Sequence, residues 1–114
     1  MFLNLNRKAP FVSLPMAKAE NELANDPSIR LIDVRTAEEY RQGHIPGSVN
    51  IPLNEISDII RLIPDRDARL FVYCLSGARS QQACARLAQL GYTDVSNIGG
   101  ITQWRGKTER TMGG

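Results

Sequence analysis

The sequence predicts an α/β fold with a central, mainly parallel sheet flanked by helices on both faces. Residues 29–34, 69–73 and 95–98 are short apolar runs rich in β-branched residues, as expected of strands buried on both sides. The segments between them carry apolar residues at helical spacing. A chain that alternates strand and helix returns each time to the same end of its sheet, which makes the strands parallel. At 114 residues there is material for one such core and not for two. The whole chain, 1–114, is therefore expected to be a single domain with its core at about 12–106, a short N-terminal segment before it and a frayed polar tail over 107–114 after it.

The first helix is expected over 16–24, where strong helix formers follow Ser13 and Pro15, with Ser13 or Leu14 near the cap and an end before Pro27. A strand follows at 29–34. Thr36 and Glu39 have capping-box spacing, so a short helix should start there and stop by Gly43. Two prolines and a glycine in 44–52 give a turn and a very short extended segment. Asn54 is placed to cap a helix with Ile56, Ile59, Ile60 and Ile63 on one stripe, closed by Pro64. The strand at 69–73 leads straight into Cys74. A helix over about 80–90 has Ala83, Cys84, Leu87, Ala88 and Leu90 at helical spacing and Gly91 as its stop. The strand at 95–98 runs into Gly99-Gly100 and a short helical turn through Trp104.

Hydrophobic residues at 42% and charged residues at 23% are ordinary for a folded domain and argue against disorder. The formal charge of +2 comes from 14 basic and 12 acidic residues spread along the chain, so there is no basic stripe to bind nucleic acid. The longest apolar runs, such as 70–73, are far too short to cross a bilayer. The first residues mix Asn4, Asn6, Arg7 and Lys8 with isolated apolar residues, unlike a signal peptide. Cys74 and Cys84 lie ten residues apart, the spacing of neither a metal pair nor a disulfide scaffold. These features predict a cytoplasmic protein with no metal, no cofactor, no membrane contact and no nucleic-acid partner.

Open α/β sheets bind ligands beyond the carboxyl ends of their strands, and Cys74 stands at such an end with a helix after it. It is the candidate nucleophile. Leu75, Ser76, Gly77 and Ala78 form a loop that is small-residued apart from Leu75, so successive amide N–H groups can turn inward around the sulfur as an anion nest. That nest, the helix terminus near Arg79 or Ser80 and the Arg79 guanidinium would all favour thiolate. Free cysteine is also among the most buried residue types, so a packed strand-end thiol is the competing role. A purely packed thiol has no need of a glycine-bearing anion loop.

These residues resemble the rhodanese-like domains. The resemblance runs from Leu31 to about Arg105. It rests on Leu31-Ile32-Asp33-Val34-Arg35 with Glu38-Glu39-Tyr40, on Gly43-His44-Ile45-Pro46-Gly47-Ser48-Val49-Asn50-Ile51-Pro52, on Tyr73-Cys74-Leu75-Ser76-Gly77-Ala78-Arg79-Ser80, and on Gly99-Gly100 with Trp104. It implies a sulfurtransferase that takes sulfane sulfur from thiosulfate or a persulfide and passes it to cyanide or a thiol, with glutathione or thioredoxin among the candidate acceptors. Cys74 would be the persulfide carrier, and Leu75, Ser76, Gly77, Ala78 and Arg79 the loop that holds it. Leu75 stands where many members have a basic residue, which weakens the case for a dianionic donor.

Two other classes stay open. One is a catalytically idle module of the same family, used for protein binding or sulfide sensing; the intact cysteine and Gly77-Ala78-Arg79 speak against it. The other is an arsenate reductase or phosphatase. Cysteine phosphatases use Cys-x5-Arg, whereas Cys74 and Arg79 bracket four residues. The smaller ring suits a sulfur atom.

Remaining conspicuous residues are expected to be structural. Asp33 and Arg35 should pair with charged neighbours, Arg35 with Glu38 or Glu39. His44 should hold a turn through a hydrogen bond, Cys84 should pack as a core thiol, and Trp104 should pack the C-terminal turn on the sheet, with Gly99-Gly100 allowing close backbone approach.

Overall fold

The computed structural model describes residues 10–111. Its sheet has five strands, β1 (Val12–Ser13), β2 (Arg30–Asp33), β3 (Val49–Asn50), β4 (Leu70–Cys74) and β5 (Val95–Gly100). They lie in the order β1-β5-β4-β2-β3, and every neighbouring pair is parallel. The helices are α1 (Met16–Asn25), α2 (Ala37–Gln42), α3 (Ile59–Leu62) and α4 (Ala78–Gln89).

β4 occupies the middle of the sheet, and all five of its residues are buried. Its side chains alternate between two cores, as the two-residue repeat of a strand requires. Leu70, Val72 and Cys74 join Ile56, Ile59 and Ile63, which lie before, within and just after α3, and Ala83, Cys84 and Leu87 of α4. Phe71 and Tyr73 join Met16 and Ala19 of α1 with Ile45. Each fully buried side chain of this size contributes about 1.5–3 kcal/mol. The Cys74 side chain is thereby fixed on the α4 side of the sheet.

Several elements depart from expectation. α1 is capped by Pro15, because Ser13 is used in β1, a strand the pattern did not reveal. The helix expected from Asn54 is a 3₁₀ helix over Leu53–Asp58 followed by the single turn of α3. Glu55 breaks the helical geometry, and Pro52 rather than Asn54 sits at the cap. Ile56, Ile59 and Ile63 are buried as expected, but the break turns Ile60 outward. Residues 107–111 are not frayed as expected. Glu109 pairs with His44 by two backbone hydrogen bonds of 2.8 Å, and the Thr111 amide donates to Arg41 O. Residues 112–114 and the N-terminal segment before residue 10 lie outside the described residues. Among the described residues no helix is long and apolar enough to cross a membrane.

The ladder between β4 and β5 is irregular near its carboxyl end. Its register slips by a residue, from Val72 opposite Asn97 to Tyr73 opposite Gly99. Such a bulge re-aims the side chains beside it. Asn97 Oδ1 closes it by accepting the Gly99 amide at 3.0 Å.

Candidate active site

Cys74 is the last residue of β4 and is only 1% exposed. The chain then turns through Leu75, Ser76 and Gly77 into α4, which begins at Ala78, one to two residues earlier than the spacing suggested. Gly77 makes the turn possible. Its φ of +112° lies in the left-handed region that side chains avoid, and this conformation aims its amide at the sulfur. The Gly77 N–H donates to Cys74 Sγ at 3.0 Å.

The loop rests on the end of β5. A Cβ built on Gly100 would lie 2.1 Å from Leu75 O and 2.5 Å from Ser76 Cα, so only glycine lets the two backbones approach this closely. Leu75, Ser76 and Ala78 face outward. Hollows flank the loop. One of about 220 Å³ includes Thr36, Leu53, Asn54 and Arg79, and one of about 320 Å³ includes Arg35, Glu39, Leu75 and Ile101. A third, of about 720 Å³, reaches Ser76, Gly99 and Gly100 from the α1 side.

Arg79 lies in the first turn of α4, with its guanidinium gripped by Glu39 at 2.7 and 2.9 Å. The hydrogen bond from Arg79 is the main reason the Glu39 carboxyl is held down to about 2. Glu39 also closes the capping box of α2 with Thr36, so Arg79 is tied to a fixed element. The expected pair of Arg35 with Glu38 or Glu39 does not form. Arg35 instead grips Asp33, Nη2 to Oδ2 at 2.7 Å, and donates to Gly43 O at 2.7 Å. The reason is burial: Asp33 has no solvent exposure, and a carboxylate there needs a cation and hydrogen bonds against it. Glu39 is already committed to Thr36 and Arg79.

His44 makes the turn-stabilising hydrogen bond expected of it. Its Nδ1 lies 2.7 Å from Tyr40 O, and its ring stacks on Tyr40 at 3.7 Å. Since a carbonyl only accepts, Nδ1 carries the proton. Trp104 packs partly buried against the α1 core, and its indole N–H donates to Lys107 O.

Two residues beside the sulfur were not singled out from the sequence. Ser80 is fully buried, with Oγ 3.4 Å from Cys74 Sγ, and its hydroxyl also lies 2.7 Å from Asn97 Oδ1 and 3.0 Å from Gly77 O. The signal for Asn97 was present: an amide side chain in the middle of an otherwise β-forming run. Ser80 gave a weaker one, a small hydroxyl in the first turn of a helix.

Burial pushes the Cys74 thiol up, but hydrogen bonds from the Ser80 hydroxyl and the amides of Ser80, Gly77 and Ser76 more than offset it and leave it below the ordinary thiol value. Burial without such donors pushes Cys84 up to about 12. Because the thiolate is the reactive form, alkylation of Cys74 should reach half its plateau rate below the pH at which a free cysteine does, about 8.5. Cys84 should stay unmodified throughout. Peptide mapping after pulses of iodoacetamide at stepped pH measures both; a Cys74 midpoint at or above the free-thiol value would contradict the geometry.

The chain matches the model of the rhodanese-like domain over residues 16–107. It is 41% identical over 90 residues to the thiosulfate sulfurtransferase PspE of Escherichia coli, covering 78% of each chain. To a sulfurtransferase of Allochromatium vinosum it is 45% identical over 83 residues, covering 72% of this chain and 77% of that one. Among solved structures, a rhodanese with anions from E. coli superposes with a TM-score of 0.68 at 38% identity, over 72% of this chain and 98% of that one.

Proposed function

Because the chain belongs to the rhodanese-like domain family, we propose that it is a sulfurtransferase in which Cys74 carries sulfur as a persulfide. The observation that carries this reading is the Gly77 N–H donating to the Cys74 sulfur at 3.0 Å, at the floor of a loop one residue shorter than the Cys-x5-Arg ring of cysteine phosphatases. In the first half-reaction the Cys74 thiolate attacks the outer sulfur of the donor. The donor S–S bond breaks, and the leaving group, sulfite from thiosulfate or a thiolate from a persulfide, departs with the electron pair. The amides of Ser76 and Gly77, with the N-terminus of α4, then face the charged persulfide sulfur. In the second half-reaction a thiolate or cyanide attacks the terminal sulfur and Cys74 returns as thiolate. Atoms and charge balance in both steps without a cofactor.

The rim bears on the donor. Leu75 is 44% exposed and brings no charge, and the charge of Arg79 is shared with Glu39. This balance favours a persulfide, with one charge near the reacting sulfur, over dianionic thiosulfate. Treating the purified protein with either donor should add one sulfur to its intact mass, removable by cyanide, with the persulfide loading at least several-fold faster at equal concentration. No cyanide-labile sulfur from either donor would point instead to the binding-only module, and turnover of a phosphate ester to a phosphatase.

A further inference from the structure

The Ser80 hydroxyl has one proton and three acceptors within reach: Asn97 Oδ1 at 2.7 Å, Gly77 O at 3.0 Å and Cys74 Sγ at 3.4 Å. The shortest contact is the one to Asn97. With Cys74 protonated, the sulfur donates to Ser80 Oγ while Ser80 donates onward to Asn97, a chain Cys74 to Ser80 to Asn97 in which every proton has an acceptor. With the sulfur charged, the best place for that proton is the sulfur itself, because a hydrogen bond to an ionised acceptor is roughly twice as strong as a neutral one. The hydroxyl then has to leave Asn97.

Asn97 can release it at the cost of that one hydrogen bond and no more. Its Oδ1 keeps the Gly99 amide at 3.0 Å, and its Nδ2 keeps Gly77 O at 3.4 Å, so no buried group is orphaned when Ser80 turns away. Asn97 itself cannot turn, since it is tied at once to the bulge of β5 and to the loop that holds the sulfur. The ionisable groups close enough to act on the Cys74 charge from α4 are Arg79 and Cys84, and neither touches this chain of hydrogen bonds.

Building on the assignment of Cys74 as sulfur carrier, we propose that Asn97 is a positioning residue that holds the Ser80 hydroxyl off the sulfur while it is protonated and surrenders it once the sulfur is charged. Asn97 thus makes the affinity of the site for a charged sulfur lower than Ser80 alone would set it. A carrier must let its sulfur go as well as take it, and a hydroxyl drawn by both Asn97 Oδ1 and Gly77 O binds the persulfide less tightly than one drawn by Gly77 O alone.

The test is the alkylation midpoint of Cys74 in four proteins, all in a Cys84→Ala background: the parent, Ser80→Ala, Asn97→Ala and the double variant. Ser80→Ala should raise the midpoint. Asn97→Ala should lower it by up to about 0.5–1 pH unit, the worth of one neutral hydrogen bond, with Gly77 O left as the weaker competitor for the hydroxyl. In the Ser80→Ala background the Asn97 change should shift the midpoint by less than about a third of that. If Asn97→Ala fails to fold, Asn97→Asp keeps the acceptor for Gly99 and strengthens its hold on Ser80. Its upward shift should then be larger with Ser80 present than with Ser80→Ala. Equal shifts with and without Ser80, or no shift from either Asn97 variant, would overturn the proposal. Iodoacetamide reports ionisation without sulfur transfer, so intact mass after donor treatment judges the carrier reading separately.

Discussion

Replacing Cys74 with serine is expected to abolish sulfur loading and leave the fold in place. Serine is nearly the shape of cysteine, and its oxygen can accept the Gly77 amide that the sulfur accepts now. The hydroxyl is not ionised at neutral pH, and an oxygen–sulfur bond would not give a stable, transferable carrier. The melting midpoint should therefore move by no more than about 5 °C, the equivalent of roughly 1 kcal/mol in a domain of this size. Cys84→Ser should do the reverse. That side chain sits in the core between α4 and the sheet with no exposure, and a hydroxyl there should cost about 1–3 kcal/mol. Loading per folded molecule should persist. Intact mass after donor treatment and thermal melts on the same samples give both readings. Loading by the Cys74→Ser protein, or complete loss of loading in a folded Cys84→Ser protein, would replace a single carrier with a two-cysteine relay.

Gly100→Ala is expected to disable the site from outside it. The new methyl would lie 2.1 Å from Leu75 O, against backbone that cannot swing aside as the end of a flexible side chain could. Either β5 or the loop must move. The loop has the weaker anchors, because Leu75 and Ser76 are exposed whereas Gly100 is held in the β4–β5 ladder opposite Cys74. Moving it lengthens the hydrogen bond from Gly77 to the sulfur. Stability should fall by about 1–3 kcal/mol, the usual range for overpacking. Loading of the folded protein should fall at least tenfold, and the Cys74 alkylation midpoint should rise. Native loading kinetics in a folded Gly100→Ala protein would mean that the loop geometry does not matter to the reaction.

Much of the fold was legible because its strongest signals are local. β4 reads as a strand from its unbroken apolar run, α2 from its capping box, and α4 from its periodic stripe closed by Gly91. Cys74 stood out because a strand end, a glycine and a helix start come together there in seven residues of sequence. What was missed depends on distant partners. β1 is a strand only because β5 offers it an edge. The tail at 107–111 is held because His44, Arg41 and Trp104 lie beside it. Arg35 was expected beside Glu38 or Glu39 because residue spacing reveals which charges are near in sequence, whereas burial of Asp33 decides which of them must be neutralised. Ser80 and Asn97 meet across 17 residues, at a bulge that no periodicity announces.

The two outer strands of the sheet, β1 and β3, are each two residues long. A sheet edge is a template: its unpaired amides and carbonyls invite another chain to add a strand, the first step toward fibrous aggregates. Edges this short give such a recruit almost nothing to hold, and Pro15 and Pro52, close beyond them, carry no N–H with which to lengthen the ladder. The parallel ladder is long only in its interior, where every strand already has two neighbours. Concentrated solutions of the folded protein should accordingly resist strand-by-strand polymerisation.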